Sequence, residues 1–140
     1  MNTVAVSGGF DPIHIGHIEL LERAKKLGDR LVVILNNDNW LMLKKGFVFM
    51  TENERAAVLK AIRHVDDVII TKHEKGTQDM SVCVALEELK PDIFANGGDR
   101  KPDNIPEYQL CDKLGIKMVF NLGEKIQSSS DLLKKVKEKT

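Results

Sequence analysis

The sequence predicts a single α/β domain over residues 1–140, a Rossmann-like, doubly wound sheet of five parallel strands. Three observations carry this. Short apolar runs recur five times, amphipathic stretches of helical period separate them, and 140 residues fit one core. The runs are nearly continuous and rich in β-branched residues, as strands buried on both faces of a parallel sheet require.

The strands are placed at Val4–Val6, Leu31–Leu35, Val68–Ile70, Ile93–Ala95 and Met118–Phe120. Between the first two, Leu20, Leu21, Ala24 and Leu27 form a helical stripe that Gly28 closes. Thr51 and Glu54 have capping-box spacing and open a second helix, with Val58, Ile62 and Val65 facing inward. Val82, Leu86 and Leu89 mark a third helix, ended by Pro91, and Leu110, Cys111 and Leu114 a fourth, ended by Gly115. A fifth starts at Ser128–Ser130 and carries Leu132, Leu133 and Val136. Such sheets bind ligands beyond the carboxyl ends of their strands. That edge comprises Gly8–His17, Asn36–Lys45, Asn96–Arg100 and Gly123–Ser130, read as loops or loop-to-helix junctions.

Charge and composition narrow the function. The 21 Lys and Arg balance the 21 Asp and Glu, so no general field steers nucleic acid or an anionic membrane. Cys83 and Cys111 form no CxxC or Cys/His cluster, which points to a reduced, cytoplasmic setting. The longest apolar run, Leu31–Leu35, is far below the ~20 residues of a membrane helix, and no signal peptide is expected.

The chemistry concentrates in Ser7-Gly8-Gly9-Phe10-Asp11-Pro12-Ile13-His14-Ile15-Gly16-His17, between the first strand and first helix. Gly8 and Gly9 permit a tight turn, His14 and His17 can point to one side, and Gly16 leaves room for a ligand. The helix N-terminus adds N–H groups and partial positive charge. Together these describe a polyphosphate site. A metal pair is the alternative, but it lacks further ligands nearby and the spacing of a zinc helix.

GGFDPIHIGH resembles the HxGH signature of the cytidylyltransferase-like nucleotidyltransferases. HIELLERAKKLGDRLVV is similar to the first helix and second strand of glycerol-3-phosphate cytidylyltransferases, and PDIFANGGDRKPDNIPE to a stretch of heptose-1-phosphate adenylyltransferases. The serine run resembles the family's second signature. The resemblance implies in-line attack of an acceptor phosphate on the α-phosphorus of CTP or ATP, releasing pyrophosphate. It implies that His14 and His17 hold the α- and β-phosphates, with Lys44 and Ser129 also catalytic. Gly8, Gly9, Phe10, Asp11, Gly16, Gly98, Asp99, Lys125, Ser128 and Ser130 are the expected nucleotide contacts, and Lys45, Arg55 and Arg100 the expected acceptor contacts. Mg2+ is expected to travel on the triphosphate, without a protein cage. A homodimer with small-molecule substrates, such as glycerol 3-phosphate, completes the expectation.

Plainer readings stand beside several of these. Lys44 and Lys45 fit a solvated pair, Asp99 a turn cap, and Arg55 an ion pair with Glu52 or Glu54. His64 reads as structural, His73 as solvated and Trp40 as packed. The arginine before the cytidylyltransferases' second signature is absent, with Lys125 as a substitute charge. The long match over His17–Val33 favours CTP slightly, although it lies in scaffold. A heptose-phosphate adenylyltransferase is the alternative, and a non-catalytic nucleotide sensor an alternative of another class. A dinucleotide-binding dehydrogenase lacks its GxGxxG fingerprint.

Overall fold

The computed structural model describes residues 2–97, 106–120 and 122. In chain order these form β1 (Thr3–Gly8), α1 (Ile15–Lys25), β2 (Arg30–Leu35), α2 (Asp38–Lys45) and α3 (Glu52–Lys60). Then follow β3 (Asp67–Ile70), α4 (Cys83–Leu89), β4 (Ile93–Ala95), α5 (Glu107–Leu114) and β5 (Lys117–Val119). The five strands are parallel and ordered β3-β2-β1-β4-β5, so the predicted doubly wound sheet is present. The fifth predicted helix, from Ser128, lies outside the described residues.

Alternation of side chains divides the core into two layers. On one face Val4, Val6, Leu31, Val33 and Leu35 meet Leu21 and Ala24 of α1 and Ala56 and Leu59 of α3. On the other, Ala5, Ile34 and Phe94 meet Ala85 and Leu86 of α4 and Cys111 of α5. Strands β1 and β2 are buried on both sides, while the edge strand β3 is only half-buried along its length. β1 lies between β2 and β4, so the strand order reverses at β1, the place where such sheets bind ligands beyond the carboxyl ends of their strands.

Three local expectations change. α1 ends at Lys25 with Lys26 as its C-cap, before Gly28, whose small size serves packing: a Cβ there would meet the Asn2 carbonyl and Val4 Cγ2 at 2.8 Å. Asn37–Lys45, read as loop, is instead the helix α2, which the Asn37 side chain caps by accepting from the Trp40 N–H at 3.0 Å. Gly46 ends it in the left-handed region at φ 82°. In α3 the inward residues are Arg55, Ala56 and Leu59, whereas Val58 is exposed, because the stripe is offset by one position. Thr51 does cap α3, accepting from the Glu54 N–H.

Candidate active site

The β1–α1 turn builds its histidine pair through reciprocal capping. His14 is the N-cap of α1, and its Nδ1 accepts from the Gly16 N–H at 3.1 Å. The His14 N–H donates in turn to Nδ1 of His17 at 3.2 Å. The rings stack with centroids 3.9 Å apart and 26° between planes. Each Nδ1 is therefore an acceptor, which puts the proton of each neutral ring on Nε2. Burial lowers the pKa of both rings, and that of His17 falls to about 3, with His14 and Lys45 adding to the effect. Both rings are neutral at physiological pH and offer N–H donors rather than cations. His14 Nε2 is buried without a partner, a donor waiting for an acceptor.

This changes how the turn works. The Gly16 N–H is spent on His14 and the His17 N–H on the His14 carbonyl. These two backbone donors of the helix N-terminus are thus not free to cradle a phosphate, and imidazole N–H groups take their place.

Several of the expected ligand contacts have structural roles in the turn. Phe10 is buried at φ 50°, with its ring edge-on to His17 at 4.8 Å. Gly8 is small because a Cβ would meet that ring at 3.1 Å, and Gly9 because one would meet Leu41 at 3.1 Å. The Phe10 ring is thus a wedge behind His17. Asp11 is fully buried, and its carboxylate accepts from the N–H groups of Phe49 (2.7 Å) and Met50 (2.6 Å), so it anchors the α2–α3 loop.

Arg55 is the clearest correction. Its side chain is 0% exposed, so it is no open receptor for an acceptor phosphate. Its guanidinium donates to the carbonyls of Met50 (2.9 Å), Gly9 (2.8 Å) and Asn36 (2.6 Å) and to Asp38 Oδ1 (2.7 Å). It ties together the ends of β1 and β2, the start of α2 and the loop before α3. The partner is Asp38, not Glu52 or Glu54.

Of the two lysines, Lys44 is exposed and Lys45 half-buried. Lys45 Nζ lies 3.4 Å from the Asp11 carbonyl, and its charge is felt at His17. Burial lowers its pKa, an effect Asp11 opposes and Arg55 and Lys44 reinforce. The structure thus places Lys45, rather than Lys44, beside the histidines. Gly98, Asp99, Arg100, Lys125, Ser128, Ser129 and Ser130 lie outside the described residues.

Around this core, His73 is not solvated. It bridges Thr71 Oγ1 and the Ser81 carbonyl, each at 2.8 Å, because its loop folds back over β3. Trp40 is half-buried, its Nε1–H donating to the Met80 carbonyl at 2.8 Å. His64 Nε2 stands 3.8 Å from Glu22. A cavity of about 240 Å3 lies at the outer edge of the sheet, lined by residues including Ile69, Thr71, His73, Ser81 and Val84, none of them from the histidine turn. Sequence reasoning missed Asn36 and Asp38. The signal for Asp38 was its place after Asn37, a capping residue opening a helix.

A parallel sheet with a histidine pair on its first crossover turn defines the class of nucleotidyltransferases. The chain belongs to the cytidylyltransferase-like family, whose model matches residues 5–135. A FAD synthase from Pyrococcus horikoshii is 45% identical over 101 residues, 71% of this chain and 65% of that protein. A bifunctional protein HldE from Desulfatibacillum aliphaticivorans is 33% identical over 119 residues, 84% of this chain and 23% of that protein. The chain therefore spans less than two thirds of the length of either of these relatives. Among solved structures, a lipopolysaccharide core biosynthesis protein from Thermoplasma volcanium GSS1 superposes with a TM-score of 0.71 at 30% identity, covering 89% of this chain and 99% of that one. No helix among the described residues is long and apolar enough to cross a membrane.

Proposed function

We propose that this chain transfers AMP from ATP to a small phosphomonoester with release of pyrophosphate, and that FMN is the first acceptor to test. The observation that carries the transfer is the stacked pair His14 and His17, with both Nε2–H groups available as donors. An oxygen of the acceptor phosphate bonds to the α-phosphorus. The bond from that phosphorus to the bridging oxygen breaks, and the electron pair leaves with pyrophosphate. The nucleophile is already ionised near neutral pH (phosphate second pKa ~6), so no protein base has to remove a proton. The work left to the protein is alignment and charge stabilisation. His14 and His17 donate to the non-bridging oxygens as charge builds, and Lys45 supplies the nearby cation.

ATP is preferred over CTP because relatives of this chain include a FAD synthase, whose product forms when AMP is joined to FMN. The exposed apolar side chains Met42, Leu43 and Phe49, from α2 and the loop after it, suit a flat aromatic acceptor. A sugar phosphate is the second reading, favoured by the likeness to HldE. Mg2+ would be carried by triphosphate oxygens. Asp11 and Asp38 are engaged by the protein, and the described residues hold no group of three or more His, Cys, Asp and Glu side chains suited to a metal.

The test is pyrophosphate release from ATP or CTP with FMN, sn-glycerol 3-phosphate or a sugar 1-phosphate. Release with ATP and FMN is expected. Release only with CTP would change the donor, release only with another phosphomonoester would change the acceptor, and nucleotide binding without release in any pairing would make the chain a sensor.

A further inference from the structure

Asn36 stands immediately beyond the carboxyl end of β2, 4% exposed. Its backbone is fully used: the N–H donates to the Gly8 carbonyl at 2.9 Å, and the carbonyl accepts from Arg55 Nη1 at 2.6 Å. Its side chain is not. Oδ1 is buried without a hydrogen-bond partner among the described residues. A buried carboxamide oxygen with no donor to meet it is unfavourable in the free protein, where an apolar residue would pack without that cost. At a ligand edge, such a group fits a role in which the ligand completes it.

Its position says which ligand part it meets. Arg55 Nη1 bridges the Asn36 and Gly9 carbonyls, so Asn36 lies against the turn that leads into the histidine pair. It lies on the β2 side of β1, from which the chain continues into α2 and Lys45. The opposite, β4 side ends at Gly97, where an added Cβ would meet none of the described residues within 4 Å, which suits the nucleotide. The β2 side is left for the acceptor.

We propose that the Asn36 carboxamide hydrogen-bonds the hydroxylated carbon chain of the acceptor phosphomonoester, an inference that rests on the nucleotidyl-transfer reading of this site. A carboxamide presents an NH2 donor group and a carbonyl acceptor side by side in a fixed plane, which matches two neighbouring hydroxyls. FMN, glycerol 3-phosphate and sugar phosphates all carry hydroxyls close to the phosphate. Asn36 therefore reads what these acceptors share, while the histidines and Lys45 read phosphate alone.

The test is calorimetric titration of the wild-type chain, Asn36→Leu and Asn36→Ala with FMN, sn-glycerol 3-phosphate, inorganic phosphate and ATP, alongside thermal unfolding without ligand. Both variants should bind the phosphomonoesters about tenfold more weakly than wild type. Inorganic phosphate and ATP should bind as before, and Asn36→Leu should unfold at the same or a higher temperature. Unchanged phosphomonoester affinity, an equal loss for inorganic phosphate, or a lower unfolding temperature in both variants with ligand binding intact would each overturn the inference. Wild-type chain that binds ATP but neither phosphomonoester would overturn it and leave the transfer reading standing. Phosphomonoester binding that depends on Asn36, in a chain releasing no pyrophosphate, would uphold it and overturn the transfer reading.

Discussion

His17 is held between Phe10, edge-on at 4.8 Å, and the stacked ring of His14, and this setting keeps it neutral. A neutral ring with Nδ1 occupied makes one directed hydrogen bond from Nε2, so its contribution grows with charge on the phosphate oxygen. His17→Ala should lower turnover by roughly 10² or more without unfolding the chain; wild-type pyrophosphate release from a folded variant would remove His17 from the site. The same burial predicts a pH effect on stability. The ring titrates near 6.5 when unfolded and at about 3 when folded, so between these values the unfolded chain binds the extra proton. Its contribution to stability is complete above the unfolded pKa and is lost as pH falls from about 6.5 toward 3, with a slope of at most ~1.4 kcal/mol per pH unit. Urea unfolding across that range should show the decline, and His17→Gln should flatten it.

At the level of elements, Arg55 is what joins β1, β2, α2 and α3 into a single platform under the turn. Removing it leaves three carbonyls without their donor and Asp38 without its counter-ion. Arg55→Met should therefore destabilise the fold by roughly 3–5 kcal/mol in urea unfolding. A loss in transfer with unchanged stability would instead return Arg55 to direct ligand contact. Gly28 is the second element-scale constraint, since it lets the α1–β2 connection pass under the chain at Asn2. Gly28→Ala should cost about 1–3 kcal/mol, because the added methyl meets backbone that cannot move aside cheaply. A neutral result would show that Asn2 and Val4 yield easily.

For the whole molecule, the half-buried edge strand β3 and the exposed Val84 of α4 leave apolar surface at one end of the sheet. We propose a homodimer, so light scattering at micromolar concentration should give about twice the 15.7 kDa of the chain. A mass equal to one chain would refute this. Zero net charge fits small-molecule substrates better than nucleic acid at this scale, since no field gathers a polyanion over the whole surface.

Much of the architecture was legible from local pattern alone. β-branched runs such as Leu31–Leu35 have no stable home except a strand covered on both faces, so five of them separated by helices determine a doubly wound parallel sheet. The histidines of the first turn were legible for the same reason, since loop-to-helix junctions at strand carboxyl ends face the ligand crevice. α2 escaped because its only core anchor is Leu41, too little for periodicity to register, and its cap, Asn37, reads equally as a turn. The roles of Asp11, Arg55 and Lys45 escaped for a deeper reason. A charged residue near a site looks the same in sequence whether it meets substrate or protein. What distinguishes the two is where its partners lie: Arg55 finds the Gly9 and Asn36 carbonyls 46 and 19 residues away. Local sequence determined the sheet and the histidine turn, whereas only tertiary packing, by burying some charges and leaving others facing the crevice, decided which polar groups remain free for a ligand.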